Sequence, residues 1–192
     1  MRQRKLTQPN SDQADMSVGS KLCTQCGLCC TGALHNHASL ESDELGFAES
    51  LGLEVMPGEK PRFALPCPRL TGTLCSIYQS RPQVCSRYKC QLLQDVESGK
   101  TGFGTAVETI QHAKTLINDI ERQLPAGTKL PEARIRYLTE KGQSEAGPDY
   151  MPLRLALTVL CLYIDRHFKG DRETNFMAVE PMRSNENILE MQ

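Results

Sequence analysis

Eight of the nine cysteines in this 192-residue chain fall in two short stretches. The first, LCTQCGLCCTG, holds Cys23, Cys26, Cys29 and Cys30 within eight positions. The second, LPCPRLTGTLCSIYQSRPQVCSRYKC, carries Cys67, Cys75, Cys85 and Cys90 with seven, nine and four residues between them. Thiols grouped this tightly differ from the scattered buried cysteines of an ordinary core. They predict a small, irregular lobe over residues 21–93 organised around sulfur, with most of these thiols binding metal.

Charge agrees with that reading. All 23 acidic residues lie outside 21–36 and 60–90, whereas Lys21, Lys60, Arg62, Arg69, Arg81, Arg87 and Lys89 lie inside. Ligating thiols must be deprotonated, so a thiolate site carries negative charge that cations stabilise and carboxylates would oppose. A basic anion-binding face is the other meaning of the pattern, and the two are compatible. Over the whole chain 22 basic residues nearly balance the acids, which does not suggest nucleic acid as a partner.

The opening stretch MRQRKLTQPNSDQADMSVGS lacks an apolar core and reads as a disordered lead-in over 1–20, not an export signal. The longest apolar run, LALTVLCLYI, has ten residues where a membrane span needs roughly 20. The expectation is a cytoplasmic protein with no membrane partner. Thiols there stay reduced, and metal or redox use is favoured over a disulfide framework.

Beyond the cysteines the pattern is helical. Ala106, Ile110, Ala113, Ile117, Ile120 and Leu124 recur at steps of four and three, one apolar stripe on a long helix that Pro125 and Gly127 end. LPEARIRYLTEKG predicts a shorter helix with Pro131 in its first turn and Gly142 past its end. Residues 152–168 read as a helix apolar nearly all round and hence buried. Between the cysteine groups, Ser39 or Ser42 could cap a short helix. No stretch alternates as a strand does. The predicted fold is mainly α, with the small irregular cysteine-rich lobe packed on a helical body over 94–170 and an irregular tail over 171–192.

Adjacent Cys29 and Cys30 point in different directions in almost any backbone, so they rarely serve one ion. Pro82 can open a helix, on which Cys85 and Cys90 would sit about 140° apart. Either that helix breaks near Tyr88 or these two also divide. Two metal sites, or one cluster with a spare reactive thiol, satisfy both constraints. Soft all-thiolate ligation suits zinc and iron–sulfur alike. Three cysteines at steps of three, completed by a distant Cys-Pro such as Cys67-Pro68, are closer to the ferredoxin pattern, which favours an iron–sulfur cluster with zinc as the alternative.

CTQCGLCC, followed by CPRL, CSIYQSRP and CSRYKC, resembles the CxxCxxCC family of predicted zinc- or iron-chelating proteins, often described as predicted iron–sulfur oxidoreductases. The resemblance covers residues 21–92. It implies Cys23, Cys26, Cys29, Cys30, Cys67, Cys75, Cys85 and Cys90 as the ligand set. Members often have Arg directly after the cysteine matching Cys85; this chain has Ser86 and then Arg87.

His35 and His37 follow the first group and could complete a site, although histidines in a polar loop are more often solvated. His112 is off the apolar stripe, His167 complements a helix end, and Cys161 fills a core. No phosphate-binding loop, dinucleotide fingerprint or hydrolase triad motif appears, and the glycines of TGFGT fit a loop before a helix. The leading expectation is a metal-chelating, iron–sulfur protein with a redox role. The alternative is a zinc-stabilised module that binds a protein partner through its long helix and tail. Any catalysis would be redox or group transfer.

Overall fold

The computed structural model describes residues 17–56, 58–139 and 150–170. The expectations for 1–16, for Gly142 and for the tail lie outside the described residues. Helix α1, Val18–Cys26, opens at Ser17, whose hydroxyl accepts the Ser20 N–H at 3.1 Å, and closes at Gly27 in the left-handed conformation. The helix therefore begins inside the stretch expected to be a lead-in. Its start signal is the serine cap, and what stabilises it is Leu22, buried in the main core.

Five short strands follow, none foreseen from the sequence. Strand β3 (Arg62–Ala64) lies antiparallel between β1 (His37–Ser39) and β2 (Val55–Met56), and β4 (Leu70–Thr71) pairs with β5 (Leu74–Cys75). At two or three residues each, they are too short to display the alternation that marks a strand. A 3-10 turn, Ser42–Glu44, leads into α2, Leu45–Ser50. Neither expected serine caps it: Ser39 ends β1, and the N–H of Glu41 donates to the Glu44 carboxylate at 3.3 Å.

Helices α3 (Gln83–Arg87), α4 (Gln91–Glu97), α5 (Phe103–Glu121), α6 (Leu130–Leu138) and α7 (Met151–Ile164) complete the order, with one wide π turn, Asp165–Lys169, after α7. The protein is mainly α. Helix α5 buries Ala106, Ile110, Ala113, Ile117 and Ile120, as its stripe predicts, and each isoleucine contributes roughly 1.5–3 kcal/mol relative to exposure. Pro131 stands in the first turn of α6.

The expectation of a wholly buried last helix needs correction. Leu153, Leu157, Leu160, Cys161 and Ile164 of α7 are buried, but Leu155 and Leu162 are 65% and 58% exposed and Met151 and Val159 are exposed beside them. Helices α5 and α6 pack on the first face alone.

Two cores result. The larger gathers Leu22, Leu28, Ala33 and Leu34 from the cysteine region with the apolar faces of α4 to α7. The smaller is Leu40, Ala48, Leu53 and Phe63, between the three-stranded sheet and α2. Arg134 of α6 ties the cysteine region to the helices: its buried guanidinium donates to the carbonyl oxygens of Gly32 at 3.2 Å and Ala33 at 2.9 Å.

Candidate metal centre

Local structure brings the thiols together. Cys23 and Cys26 stand one turn apart on α1, on one face of the helix. Gly27 reverses the chain, and its carbonyl accepts the N–H groups of Cys30 at 3.0 Å and Thr31 at 3.1 Å, so Cys29 and Cys30 sit in a tight turn against the helix end. The Cys67 N–H donates to the Cys30 carbonyl at 2.8 Å, and Cys75 pairs with Leu70 across the β4–β5 hairpin. Cys85 lies on α3. Tyr88 then breaks the helix with extended backbone, and Cys90 caps α4. All eight thiols line one cavity of about 420 Å³. Cys161 lies instead in the larger core, the filler position expected for it.

The thiols influence one another mostly within two groups, with Cys23 acting on Cys30 and Cys30 on Cys29 across them. Cys29 is held well above the ordinary thiol range by burial first, then by the charges of Cys26, Cys90, Cys30 and Cys23. Burial, opposed by the Leu28 N–H, pushes Cys26 up to about 12, with Cys90 and Cys23 adding to it. Burial also raises Cys23, followed by Cys90. In the second group, burial followed by Cys67 and Cys75 takes Cys30 up to about 11, and burial followed by Cys30, Cys67 and Cys75 takes Cys85 up to about 12. Burial is likewise the first cause for Cys67, where the Arg69 N–H opposes Cys75.

Packing follows the same grouping for five of the eight. Cys26, Cys29 and Cys90 lie against the larger core, Cys67 and Cys85 against the smaller. The nearest thiols of Cys29 and Cys30 differ, as do those of Cys85 and Cys90, and the helix breaks at Tyr88. One pairing differs from the sequence reading. The distant cysteine beside Cys23, Cys26 and Cys29 is Cys90, whereas Cys67 stands beside Cys30.

One carboxylate does approach, brought by the fold from outside the acid-free stretches: Glu97 lines the cavity, raises the Cys23 thiol and is itself held by Lys89 at 2.7 Å. Arg81 also lines the cavity, its guanidinium 3.8 Å from the centre of the Tyr78 ring. Its charge lowers Cys23, Cys30 and Cys85 against the effect of burial.

His35 and His37 line the cavity too, and His35 makes an edge contact with Tyr88 at 5.0 Å. His112 is exposed and packs on Tyr163, as does His167. Burial and Arg166 push His167 below its ordinary value, the reverse of what a cationic partner of the helix dipole would show.

The donor set fits a soft metal in number and kind, being eight unbridged thiols lining one partly enclosed space. Among the described residues, no three Cys, His, Asp or Glu side chains already converge on a single metal position. All eight thiols line the same cavity.

Residues 22–114, just under half of the chain, match the model of the CxxCxxCC family, described as a "putative zinc- or iron-chelating domain". Over that stretch the chain is similar to the CxxCxxCC domain. The match supports metal chelation through cysteine. It reaches Lys114, beyond the end of the cysteine stretch, and so takes in most of α5. That extension has a structural reason, since α5 packs on α1 and the CxxCxxCC core is closed by α1, α4 and α5 together. No curated protein and no solved structure matches the chain. No helix among the described residues is long and apolar enough to cross a membrane.

Proposed function

We propose that the protein chelates metal at two four-thiol sites, Cys23, Cys26, Cys29 and Cys90 forming the first and Cys30, Cys67, Cys75 and Cys85 the second. The observation that carries this is that Cys26, Cys29 and Cys90 pack against the larger core and Cys67 and Cys85 against the smaller, with all eight thiols lining the cavity between them. Iron–sulfur clusters are the favoured load, because the first four has three cysteines at steps of three and one distant cysteine, as ferredoxins do. Bound there, a cluster would supply one-electron redox chemistry. The chain's own contribution is to hold the thiols behind α1 and the Cys29–Cys30 turn, and to balance their charge with Arg81. Such use of unbridged thiols belongs in a reducing compartment such as the cytoplasm.

A second reading, zinc-stabilised structure without catalysis, is favoured by one observation. The smaller core has four buried residues and sheets of two and three strands, too little apolar burial to hold that region by itself. Cys67 and Cys85 rest on it, so a metal there would act as a staple. In this reading the exposed parts of the helices bind a protein partner.

Anaerobic purification, followed by metal, acid-labile sulfide and visible absorption measurements, tests both. Brown protein with sulfide supports clusters. Colourless protein with two zinc ions per chain supports the second reading, and folded protein free of metal overturns both.

A further inference from the structure

Resting on the two-site reading, we propose that Arg81 is the counter-charge shared by the two sites, a positioning residue that limits how strongly loading one opposes loading the other. Arg81 is held by its side chain and by its place in the chain. The guanidinium stacks on Tyr78 at 3.8 Å, and the Tyr78 hydroxyl donates to Ser20 Oγ at 2.9 Å, which pins the pair to α1, the helix of Cys23 and Cys26. The next residue, Pro82, fully buried, fixes the entry into α3, the helix of Cys85. Arg81 thus bridges the element that bears the first site and one that bears the second. Its Nε is buried and has no hydrogen-bond partner among the described residues, although an enclosed guanidinium N–H ordinarily finds an acceptor. Thiolates turned inward on metal binding would supply one.

Charge bookkeeping explains why a shared cation matters. Four thiols that bind one divalent ion each lose a proton, leaving a site with about two negative charges. The two sites share a wall at Cys29–Cys30, so the second must load beside the charge of the first. Lys114 and Arg69 donate to the carbonyl oxygens of Gln25 and Leu51 and lie outside the lining of the cavity. Arg81 lines the cavity that both fours share, between α1, which bears Cys23, and α3, which bears Cys85.

The test titrates full-length wild-type protein, Arg81→Lys and Arg81→Gln anaerobically with Zn²⁺ against a chromogenic chelator. Wild type should take two equivalents. Arg81→Gln should bind the second about tenfold or more weakly, with a smaller loss at the first, and Arg81→Lys should return it to within about threefold of wild type. Tyr78→Leu, which frees the guanidinium from its ring but keeps its charge, should show a smaller loss of the same kind and carries the test should Arg81→Gln not fold. Unchanged second-site affinity in Arg81→Gln, or in Tyr78→Leu where that variant carries the test, overturns the proposal. So does Arg81→Lys binding as weakly as Arg81→Gln, which would mark shape rather than charge. Failure of the two-site reading itself shows separately, as a wild-type protein that takes fewer than two equivalents.

Discussion

The N–H of Cys67 donates to the carbonyl oxygen of Cys30 at 2.8 Å, and this one bond fastens the second cysteine stretch to the last cysteine of the first. Cys29, its neighbour in the chain, packs against the larger core with Cys26 and Cys90. In the proposed two-site arrangement the boundary runs through the peptide bond between Cys29 and Cys30.

Cys29→Ser and Cys30→Ser should accordingly remove different metals. Each variant is expected to lose about one of the two equivalents and keep the other, as read from metal content per chain after anaerobic purification. Loss of both metals from each variant would mean a single joint site.

Loading should be strongly pH-dependent. Burial and neighbouring thiols keep Cys26, Cys30 and Cys85 protonated at neutral pH, with values up to about 12, 11 and 12. At pH 7 each site should release about four protons per metal, measurable with a dye in weak buffer, and apparent affinity should climb steeply with pH.

Without metal the sign reverses for stability. These thiols have folded values raised above the ordinary 9.0, so their protonated form favours the fold. That contribution is complete below the unfolded value and is lost as pH rises toward 11–12. Metal-free protein should melt lower at pH 10 than at pH 7, a trend that thermal denaturation in chelator would reveal.

Gly32 should not tolerate alanine. Its φ is 82°, and an added Cβ would meet Pro131 Cγ at 2.6 Å. Gly32→Ala is expected to destabilise by about 1–3 kcal/mol in chemical denaturation, because both the backbone strain and the displacement of α6 oppose it.

Arg134→Met should weaken the same junction. It removes the donors to Gly32 and Ala33 and leaves those carbonyls to find other partners, at a cost of roughly 1.5–3 kcal/mol for a hydrogen bond to a charged group. Unchanged stability by denaturant titration would show that the packing of α6 alone holds the turn.

On α7, neighbouring leucines should differ sharply. Leu157→Ala, in the core, is expected to cost about 2–5 kcal/mol, whereas Leu155→Gln, at a position 65% exposed, should stay within about 0.5 kcal/mol. Equal losses in equilibrium unfolding would indicate that the Leu155 face is covered in solution.

Read alone, the sequence determined what depends on neighbours along the chain. The α5 stripe and the place of Pro131 follow from helix period and proline geometry, which need no partner to be read. The expectation that Cys29 and Cys30 serve different sites rests on the directions of adjacent side chains, and the helix break at Tyr88 is one of the two ways the spacing offers to part Cys85 from Cys90. The short strands stayed hidden because two residues cannot show a period of two. The second face of α7 was misread because hydrophobicity says that a helix can be buried but not how many neighbours will cover it. Only the tertiary structure decided that Cys90, and not Cys67, stands with Cys23, Cys26 and Cys29, and that Glu97 and Arg81 reach the cavity. Those pairings cross tens of residues, and they are set by which chain segments the two cores draw together, a three-dimensional outcome that spacing along a line does not contain.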